Sequence, residues 1–258
     1  MPGGTRAPQH VAGGTAAAVL HHNGTWLESP PSGPPGTRRP IATAADIGPP
    51  EKRVPMRIAA YLAHPRPGSF NHAVFDAVVD ELRQHGCRVR AHDLYAEGFD
   101  PLLTASETET VQPLGAAADA DGNTDPALER HRAQVAEADA LVFVHPNWWG
   151  MPPAVLTGWV QRVLVPGVAY KLAAAEGEPA GLLSADRALV LNTSDTPAER
   201  EEREFNDPLD SVWRACVLPY TGITDVRRTV FRTVTDADAA RRSDWLRQAR
   251  ALAAALLD

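Results

Sequence analysis

From residue 57 onward, the spacing of apolar residues changes regularly along the chain. Short apolar runs, typical of buried strands, alternate with stretches in which apolar residues recur every three or four positions, as on one face of a helix. These patterns predict strands at Ile58 to Ala63, Arg88 to Leu94, Ala140 to Val144, Ala188 to Leu191 and Thr224 to Phe231. They predict helices at 70–85, 125–138, 153–164, 236–257 and from Asp207 onward.

Strands that alternate with helices imply a parallel sheet with helices on both faces. The second strand alternates polar and apolar residues, which suits an edge, whereas continuous apolar runs suit central strands. We therefore predict a flavodoxin-like α/β fold with a five-stranded parallel sheet in the order 2-1-3-4-5. Asp-Pro pairs at Asp125 and Asp207 mark two helix starts. The helix from Asp207 is expected to carry its apolar face on Leu209, Val212, Trp213, Cys216 and Val217.

The first 55 residues follow neither pattern and are rich in glycine and proline. Such a composition buries too little apolar surface to offset the entropy that ordering would cost. We predict a disordered N-terminal extension over residues 1–55 and a flavodoxin-like domain over residues 56–258. Two other interpretations stay open: a transit peptide, or a natural start at Met56, one residue before the first predicted strand.

Composition and charge limit the kinds of partner that the protein is expected to bind. The chain has 258 residues, of which 44% are hydrophobic, so its core can stand without disulfides. A formal net charge of -7 argues against non-specific nucleic-acid binding, and no apolar run reaches the ~18 residues of a membrane-spanning helix. Cys87 and Cys216 fit neither a disulfide framework nor a metal motif, and the histidines lack metal-ligand spacing. We predict a cytoplasmic protein that binds no metal and no nucleic acid and does not insert into membranes.

In open α/β sheets, ligands bind beyond the carboxyl ends of the strands, where the strand order reverses. The loop after the first predicted strand runs from His64 to Asn71, with Ser69 at the N-cap of the next helix. Free backbone N–H groups at a helix start bind anions, so this loop predicts a phosphate site to which Ser69 and Asn71 can add donors. An ordinary capped helix start is the alternative.

The loop after the third strand carries adjacent tryptophans, Trp148 and Trp149, among prolines and a glycine. Strand alternation cannot turn both into the core, so at least one is expected at the surface or against a flat ligand. A cap on the sheet edge or a subunit contact is the alternative. The loop after the fourth strand, Asn192 to Pro197, is a run of small hydrogen-bonding residues. It can face a developing negative charge or form an ordinary capped turn.

Other segments give weaker signals. Residues 96–124 are expected to form a long irregular insertion. The run from Glu199 to Glu204 mixes both charges and is expected to be the solvated face of a helix. Ser69 lacks the Gly-x-Ser-x-Gly turn of a hydrolase nucleophile.

Together the three loops resemble those of the NAD(P)H dehydrogenase (quinone) family, also called the flavodoxin-2 family. The matching segments are Ala63 to Pro65, Ser69 to Asn71, Pro146 to Ala154, Gly158 to Trp159 and Val168 to Tyr170. The resemblance runs from about Met56 to the C-terminus, and the combined spacing is specific to the family. It implies a bound flavin, FAD or FMN with FAD slightly favoured, NAD(P)H as co-substrate, and a homodimer.

The resemblance also assigns roles to the loop residues. The residues that would hold the phosphate side are His64, Ser69, Phe70 and Asn71. Those that would wrap one edge of the flavin ring are Pro146, Asn147, Trp148, Trp149 and Gly150. Those that would face its pyrimidine end are Thr193, Ser194, Asp195 and Thr196. Tyr170 would line the substrate side near a partner subunit, and Tyr170 and Trp149 are the residues expected to contact the reacting molecules.

The chain departs from the family at two points. The family often has Thr-Thr-Gly-Gly after the fourth strand, whereas this chain has Thr193 to Thr196 with Asp195 among them. If Asp195 faced the ring, its charge would disfavour an anionic reduced flavin. No histidine follows His145, so the proton relay proposed for a downstream Tyr and His in well-studied members is not carried over.

The resemblance implies a flavin-dependent NAD(P)H oxidoreductase that passes hydride through the flavin to a quinone or similar planar acceptor by ping-pong exchange. Two alternatives stay open: an azo- or nitro-compound reductase, and a flavin-binding ancillary subunit of a cation-efflux transporter. A one-electron carrier is disfavoured, because the Trp148–Trp149 loop and the large insertion indicate an enclosed substrate site.

Overall fold

The computed structural model describes residues 54–108, 125–172 and 178–258. The strands in these ranges are β1 (Arg57–Leu62), β2 (Arg88–Asp93), β3 (Ala140–Pro146), β4 (Tyr170–Leu172), β5 (Pro179–Gly181), β6 (Arg187–Ser194) and β7 (Asp225–Arg232). The helices are α1 (Phe70–Gln84), α2 (Ala105–Thr108), α3 (Pro126–Glu137), α4 (Ala154–Val163), α5 (Ala198–Arg200), α6 (Pro208–Asp210), α7 (Leu218–Tyr220) and α8 (Ala239–Ala255). Two π-helical segments, Glu201–Phe205 and Ser211–Val217, follow directly on α5 and α6.

The main sheet has the order β2-β1-β3-β6-β7, and each neighbouring pair is parallel. Strands β4 and β5 form a separate antiparallel hairpin. Counted along the main sheet alone, the order is 2-1-3-4-5, so the predicted topology is confirmed. Strand β3 is buried throughout and β2 is largely exposed, as expected for a central and an edge strand.

The core lies in two layers, one on each face of the sheet. Helices α1 and α8 pack together over one face, where Val74, Val78 and Ala249 are buried. Helices α3 and α4 and the helical stretch from Pro208 cover the other face, around Phe143 and Trp159. The predicted coverage of both faces is therefore confirmed.

Local signals at the helix ends explain where α1 and α3 stop and start. Gly86 follows α1 with a φ of +80°, a left-handed conformation that glycine adopts without strain. The side chain of Asp125 accepts a hydrogen bond from the Ala127 N–H and caps α3, whose first residue is Pro126. Both boundaries agree with the sequence prediction.

The helix predicted from Asp207 onward is partly π-helical, and this corrects its predicted face. Leu209, Trp213 and Leu218 are buried, whereas Cys216 is exposed and Val217 is only partly buried. In an α-helix, Leu218 would point roughly 140° away from Trp213, because each residue turns about 100°. The wider π turn, with its i→i+5 hydrogen bonds, returns position 218 to the buried face. The prediction assumed α-helical spacing throughout and so placed Cys216 on the core face, which is wrong.

Several predicted segments fall on residues that the structure does not describe. The predicted extension over residues 1–55 lies outside the described residues except for 54 and 55. The predicted irregular insertion contains α2, and its residues 109–124 lie outside them as well. Among the helices that are described, none combines the length and the apolar character needed to cross a membrane.

Candidate functional site

A cavity of about 790 Å³ lies at the carboxyl edge of the sheet, where the loops after β1, β3 and β6 meet. The sheet register brings these loops together, because Leu62 pairs with Val144 and Pro146 pairs with Thr193. The predicted cofactor residues that line the cavity are His64, Ser69, Phe70, Asn71, Pro146, Asn147, Trp148, Trp149, Gly150, Thr193, Ser194, Asp195 and Thr196. The structure thus gathers every residue that was assigned to flavin contact.

Tyr170 is the predicted site residue that the structure does not bring to the cavity. It begins β4, and its ring packs edge-on against Tyr220 with 4.7 Å between ring centroids. Burial, with a smaller effect of Tyr220, raises the pKa of the Tyr170 phenol. Within one chain, Tyr170 is therefore not among the residues that line the cavity.

The loop after β1 ends at the N-terminus of α1. Gly68 has a φ of +70°, and the Ser69 N–H donates to the Arg66 carbonyl, which turns the chain into the helix. Ser69 takes the N-cap position without capping through its side chain. Its Oγ lies 2.9 Å from Nδ1 of His72 instead. Because a helix leaves the N–H groups of its first turn without intrahelical acceptors, this end of the cavity can bind an anion.

Asn71 connects the first loop to the third. Its buried Nδ2 donates to Thr193 Oγ1 at 2.9 Å, and the Thr193 hydroxyl oxygen lies 3.2 Å from Asn71 Oδ1. The sequence prediction gave the Asn71 side chain to the phosphate as a donor. The structure shows that this amide is engaged inside the protein, where it fixes the spacing between the two loops.

The tryptophan loop is a tight turn at the mouth of the cavity. Trp148 and Met151 exchange backbone hydrogen bonds, and the Gly150 N–H donates to the Asn147 side chain at 2.9 Å. Trp149 and Gly150 both have positive φ, +58° and +74°, which is uncommon for a tryptophan. Trp149 is 97% exposed. This exposure confirms the prediction that at least one of the two tryptophans lies at the surface. Trp148 is exposed as well, though less.

The loop after β6 is held in place by side chains of the loop itself and by the segment after β7. Ser194 Oγ accepts a hydrogen bond from the Thr196 N–H at 3.1 Å. Asp195 Oδ1 accepts from the Thr235 N–H at 2.8 Å. The carboxylate of Asp195 is therefore bound to backbone beyond β7, and that N–H offsets part of its charge.

Glu201 was predicted on a solvated face and is instead buried in the cavity wall. Its Oε1 accepts from Asn147 Nδ2 at 3.0 Å, and its Oε2 lies 3.4 Å from Arg232 Nη1. These partners explain how a carboxylate can be buried, since a buried charge needs both an opposite charge and hydrogen bonds. Glu201 thereby ties the tryptophan loop to β7. Arg200 and Glu204, from the same run, are exposed as predicted.

A buried polar network lies beneath the cavity at the end of β3. The His145 Nδ1 lies 2.8 Å from the Pro146 carbonyl, and its Nε2 lies 3.0 Å from the indole Nε1 of Trp213. Asn192 Nδ2 lies 2.8 Å from the same Nε2, and Asn192 Oδ1 accepts from Arg228. Burial lowers the pKa of His145 to about 4, so the ring is neutral at physiological pH. It does not line the cavity and serves to position Pro146.

The charges around the cavity are mixed. Residues beyond the sequence assignment that line it include Arg66, Arg200, Arg242 and Thr235. Burial lowers the pKa of His64, so this ring is neutral at physiological pH. Arg66 lies two residues after His64, in a loop that sequence analysis had already assigned to the site, so its place in the lining could have been predicted. Thr235 and Arg242 come from the other end of the chain, and no local pattern points to them.

A second histidine cluster lies away from the cavity, between the end of β2 and α3. The ligand atoms of His92, Glu97 and His131 lie within 4.8 Å of one another. The Trp159 indole N–H donates to His131 Nδ1 at 3.3 Å, which leaves the proton of the neutral ring on Nε2, facing Glu97 at 3.2 Å. Because that Nε2 has no lone pair to offer a cation, we interpret the cluster as a hydrogen-bonded network.

The fold and the site define the class of protein: a flavodoxin-like α/β protein whose cavity combines the N-terminus of a helix with an aromatic turn. Residues 56–253 match the flavodoxin-2 family model, described as a flavodoxin-like fold. The chain belongs to this family.

Among known relatives is rat (Rattus norvegicus) NAD(P)H dehydrogenase (quinone) 1, which is 35% identical over 126 residues. The match covers 45% of this chain and 46% of the rat protein, so the chain spans about half the length of that relative.

Two solved structures show the same fold. The NAD(P)H:quinone oxidoreductase from Methanothermobacter marburgensis superposes with a TM-score of 0.66 and 25% identity, over 78% of this chain and 98% of that one. An FMN-dependent NADH-azoreductase from Bacillus anthracis, solved in complex with FMN, superposes with a TM-score of 0.60 over 79% of this chain and 100% of that one. At 14% identity, the second likeness concerns the fold alone.

Proposed function

We propose that the cavity binds a flavin, and that the protein uses it to pass hydride from NAD(P)H to a quinone or a similar planar acceptor. One observation carries this proposal. A helix start suited to phosphate, an aromatic turn suited to a flat ring, and a run of small donor residues line the same cavity. Its volume of about 790 Å³ falls in the usual range for small-molecule sites. Membership of the flavodoxin-2 family and the quinone oxidoreductase relatives support it.

The phosphate side of the flavin would lie at the start of α1. The donors there are the N–H groups of the first helical turn, the Ser69 hydroxyl and the guanidinium of Arg66. FAD is the first candidate, because the lining continues beside Phe70 to Thr235 and Arg242, where a second nucleotide half could extend. FMN would use only the part nearer the tryptophan turn.

The ring would lie between the tryptophan turn and the loop after β6. Trp148 packs near His64, with 5.9 Å between ring centroids, and together they offer a wall for a planar molecule. Donors in the Thr193 to Thr196 loop would stabilise negative charge at the pyrimidine end, by the logic of an oxyanion hole. A bound flavin supplies hydride acceptance and donation. The chain holds it flat and leaves room near Trp149 for nicotinamide and acceptor in turn.

The acceptor also needs protons, and we propose that water supplies them. His64 is the histidine among the described lining residues, and it is neutral at physiological pH. His145 is buried below the cavity with its ring nitrogens engaged. His145 therefore does not reach a ligand in the cavity, and no histidine after position 145 takes the place of the downstream histidine of the well-studied quinone reductases.

We further propose that the protein acts as a homodimer. Trp149, Met151 and Phe205 expose apolar side chains, and Trp149 and Phe205 lie at the cavity itself. Exposed apolar surface of this kind often marks an interface. Tyr170 lies outside the cavity of its own chain, so its assigned role needs a partner subunit. Sedimentation velocity tests this proposal. A protein that is monomeric at micromolar concentration would refute both the homodimer and the proposed role of Tyr170.

The absorption spectrum of the purified protein tests the cofactor. A flavin band near ~450 nm that bleaches on addition of NADH or NADPH and returns on addition of a benzoquinone would support the proposal. Chromatography of the released chromophore then separates FAD from FMN. An azo dye in place of the quinone identifies the acceptor class. A colourless protein that takes up neither FAD nor FMN would refute the proposal.

A further inference from the structure

Three side chains form a hydrogen-bonded chain that leads from the cavity to the edge of the sheet. Ser69 lines the cavity, and its Oγ lies 2.9 Å from His72 Nδ1. The other ring nitrogen of His72, Nε2, lies 3.1 Å from Asp93 Oδ2. The second carboxylate oxygen of Asp93 accepts from the N–H groups of Tyr95 and Ala96, which fixes its orientation.

The chemistry of these groups determines where the protons lie. A carboxylate oxygen only accepts, so His72 Nε2 carries a proton and donates to Asp93. When the ring is neutral, Nδ1 has a lone pair, and the Ser69 hydroxyl donates its single proton to it. When the ring is an imidazolium, Nδ1 carries a proton and donates to Ser69 Oγ. Only in this second state is the Ser69 proton free to point into the cavity.

We propose that His72, held by Asp93, sets the direction of the Ser69 hydroxyl, so that binding a phosphate-bearing flavin takes up a proton at His72. His72 is a positioning residue in this scheme, because it acts on the ligand through Ser69. The inference rests on the proposed function, since it assigns the phosphate group of the flavin to the Ser69 end of the cavity. It adds a proton to that binding step and makes the affinity depend on pH.

The charged groups around His72 both favour and oppose its protonation. Asp93, on β2, stabilises the imidazolium by direct contact. His64, from the loop after β1, packs edge-on to His72 with 6.2 Å between ring centroids. Arg66, in the same loop, is the positive charge that opposes protonation of His72. On α1 itself, Asp76 lies one turn further along. A bound phosphate adds negative charge beside Ser69, and this charge favours the imidazolium.

The test compares the dissociation constants of FAD and riboflavin for the flavin-free protein between about pH 5.5 and 8.5. FAD is chosen over FMN because the monophosphate of FMN titrates near pH 6 itself. Riboflavin has the same ring without phosphate. We expect the FAD dissociation constant to rise with pH by up to about tenfold per pH unit over part of this range, the limit for one linked proton. The riboflavin constant should show no such rise.

Three variants of the chain sharpen the test, and circular dichroism confirms that each folds. His72→Phe leaves the Ser69 hydroxyl free at every pH, so FAD binding should lose its pH dependence and be tighter than in the wild type at high pH. Ser69→Ala should also bind FAD without pH dependence, but more weakly. This variant provides the test of the proposal if His72→Phe does not fold. Asp93→Asn should move the change in affinity to lower pH. His85→Phe, at the exposed far end of α1, is the matched control and should keep the wild-type profile.

The possible outcomes separate the two proposals. FAD binding with a pH profile that His72→Phe leaves unchanged, or that riboflavin shares, would overturn the role of His72 while the flavin site stands. If neither FAD nor riboflavin binds at any pH, the proposed function is wrong and the proton linkage falls with it. Isothermal titration in buffers of different ionisation enthalpy counts the protons directly. Within the pH range where the FAD dissociation constant rises, FAD binding to the wild type should take up as much as about one proton.

Discussion

Buried His145 should make the folded protein lose stability as the pH falls from about 6.5 to about 4. Its Nδ1–H donates to the Pro146 carbonyl, and its Nε2 accepts from Trp213 and Asn192, so the folded structure holds a neutral ring. Burial lowers its pKa from 6.5 to about 4, and Arg228 adds to the shift. In this range the unfolded chain binds a proton that the folded chain does not, so unfolding becomes easier as the pH drops.

The size of the effect follows from the pKa. One unit of pKa corresponds to about 1.4 kcal/mol, so a fall from 6.5 to about 4 gives His145 a total effect of about 3 kcal/mol. The loss is complete once the pH is well below 4, and above pH 6.5 it is nearly absent. His131, whose pKa burial lowers to about 3, contributes a loss of the same sign. A comparison with a variant is therefore needed to isolate His145.

Urea unfolding of the wild type and His145→Gln at a series of pH values measures the difference. The glutamine Oε1 can accept the hydrogen bonds of Trp213 and Asn192 and does not titrate. Between about pH 6.5 and 4.5, the wild type should lose about 2 kcal/mol more of its unfolding free energy than the variant. Two curves that run parallel through this range would refute the assignment of a neutral, buried His145.

Substitutions at three further positions test packing and charge, each by urea or thermal unfolding. Tyr61→Phe should raise the unfolding free energy by about 1 kcal/mol, because the buried Tyr61 hydroxyl has no hydrogen-bond partner in the described part of the chain; a loss would mean that the hydroxyl is satisfied. Gly158→Ala should cost about 2 kcal/mol, because a Cβ there would lie 2.3 Å from the Pro101 carbonyl oxygen; an unchanged midpoint would contradict this contact. Glu201→Ala should cost about 3 kcal/mol by leaving Arg232 short of a buried partner. Glu201→Gln, which can still accept from Asn147, should cost less, and equal losses would argue against the hydrogen bond.

Much of the fold could be predicted because it depends on local patterns. Continuous apolar runs place strands in the middle of a sheet, and an Asp-Pro pair marks the start of α3 whatever lies around it. The carboxyl ends of parallel strands meet at one edge, so the amino-acid sequence is enough to assign the three loops to one site. These inferences need only the neighbours of each residue along the chain.

The features that sequence reasoning missed depend on partners far away in the chain. Strand β6 continues through Asn192 to Ser194, beyond the apolar run, because His145 and Asn71 satisfy its buried polar groups. From the sequence alone, Glu201 is expected at the surface, because its charged partner Arg232 lies far away along the chain. Strands β4 and β5 have three residues each and are largely exposed, so no apolar periodicity marks them.

The π-helical turn over Ser211–Val217 also bears on how relatives of different length can share this fold. An i→i+5 turn accommodates one residue more than an α-helical turn without breaking the helix. A relative one residue shorter here could close the turn to i→i+4 bonds and still bury the equivalents of Trp213 and Leu218, since their spacing would then be four. We therefore expect a single-residue gap in an alignment with such a relative to fall inside this helix, although gaps are usually not allowed within helices. Moving that gap into the loop after the helix would misalign Leu218.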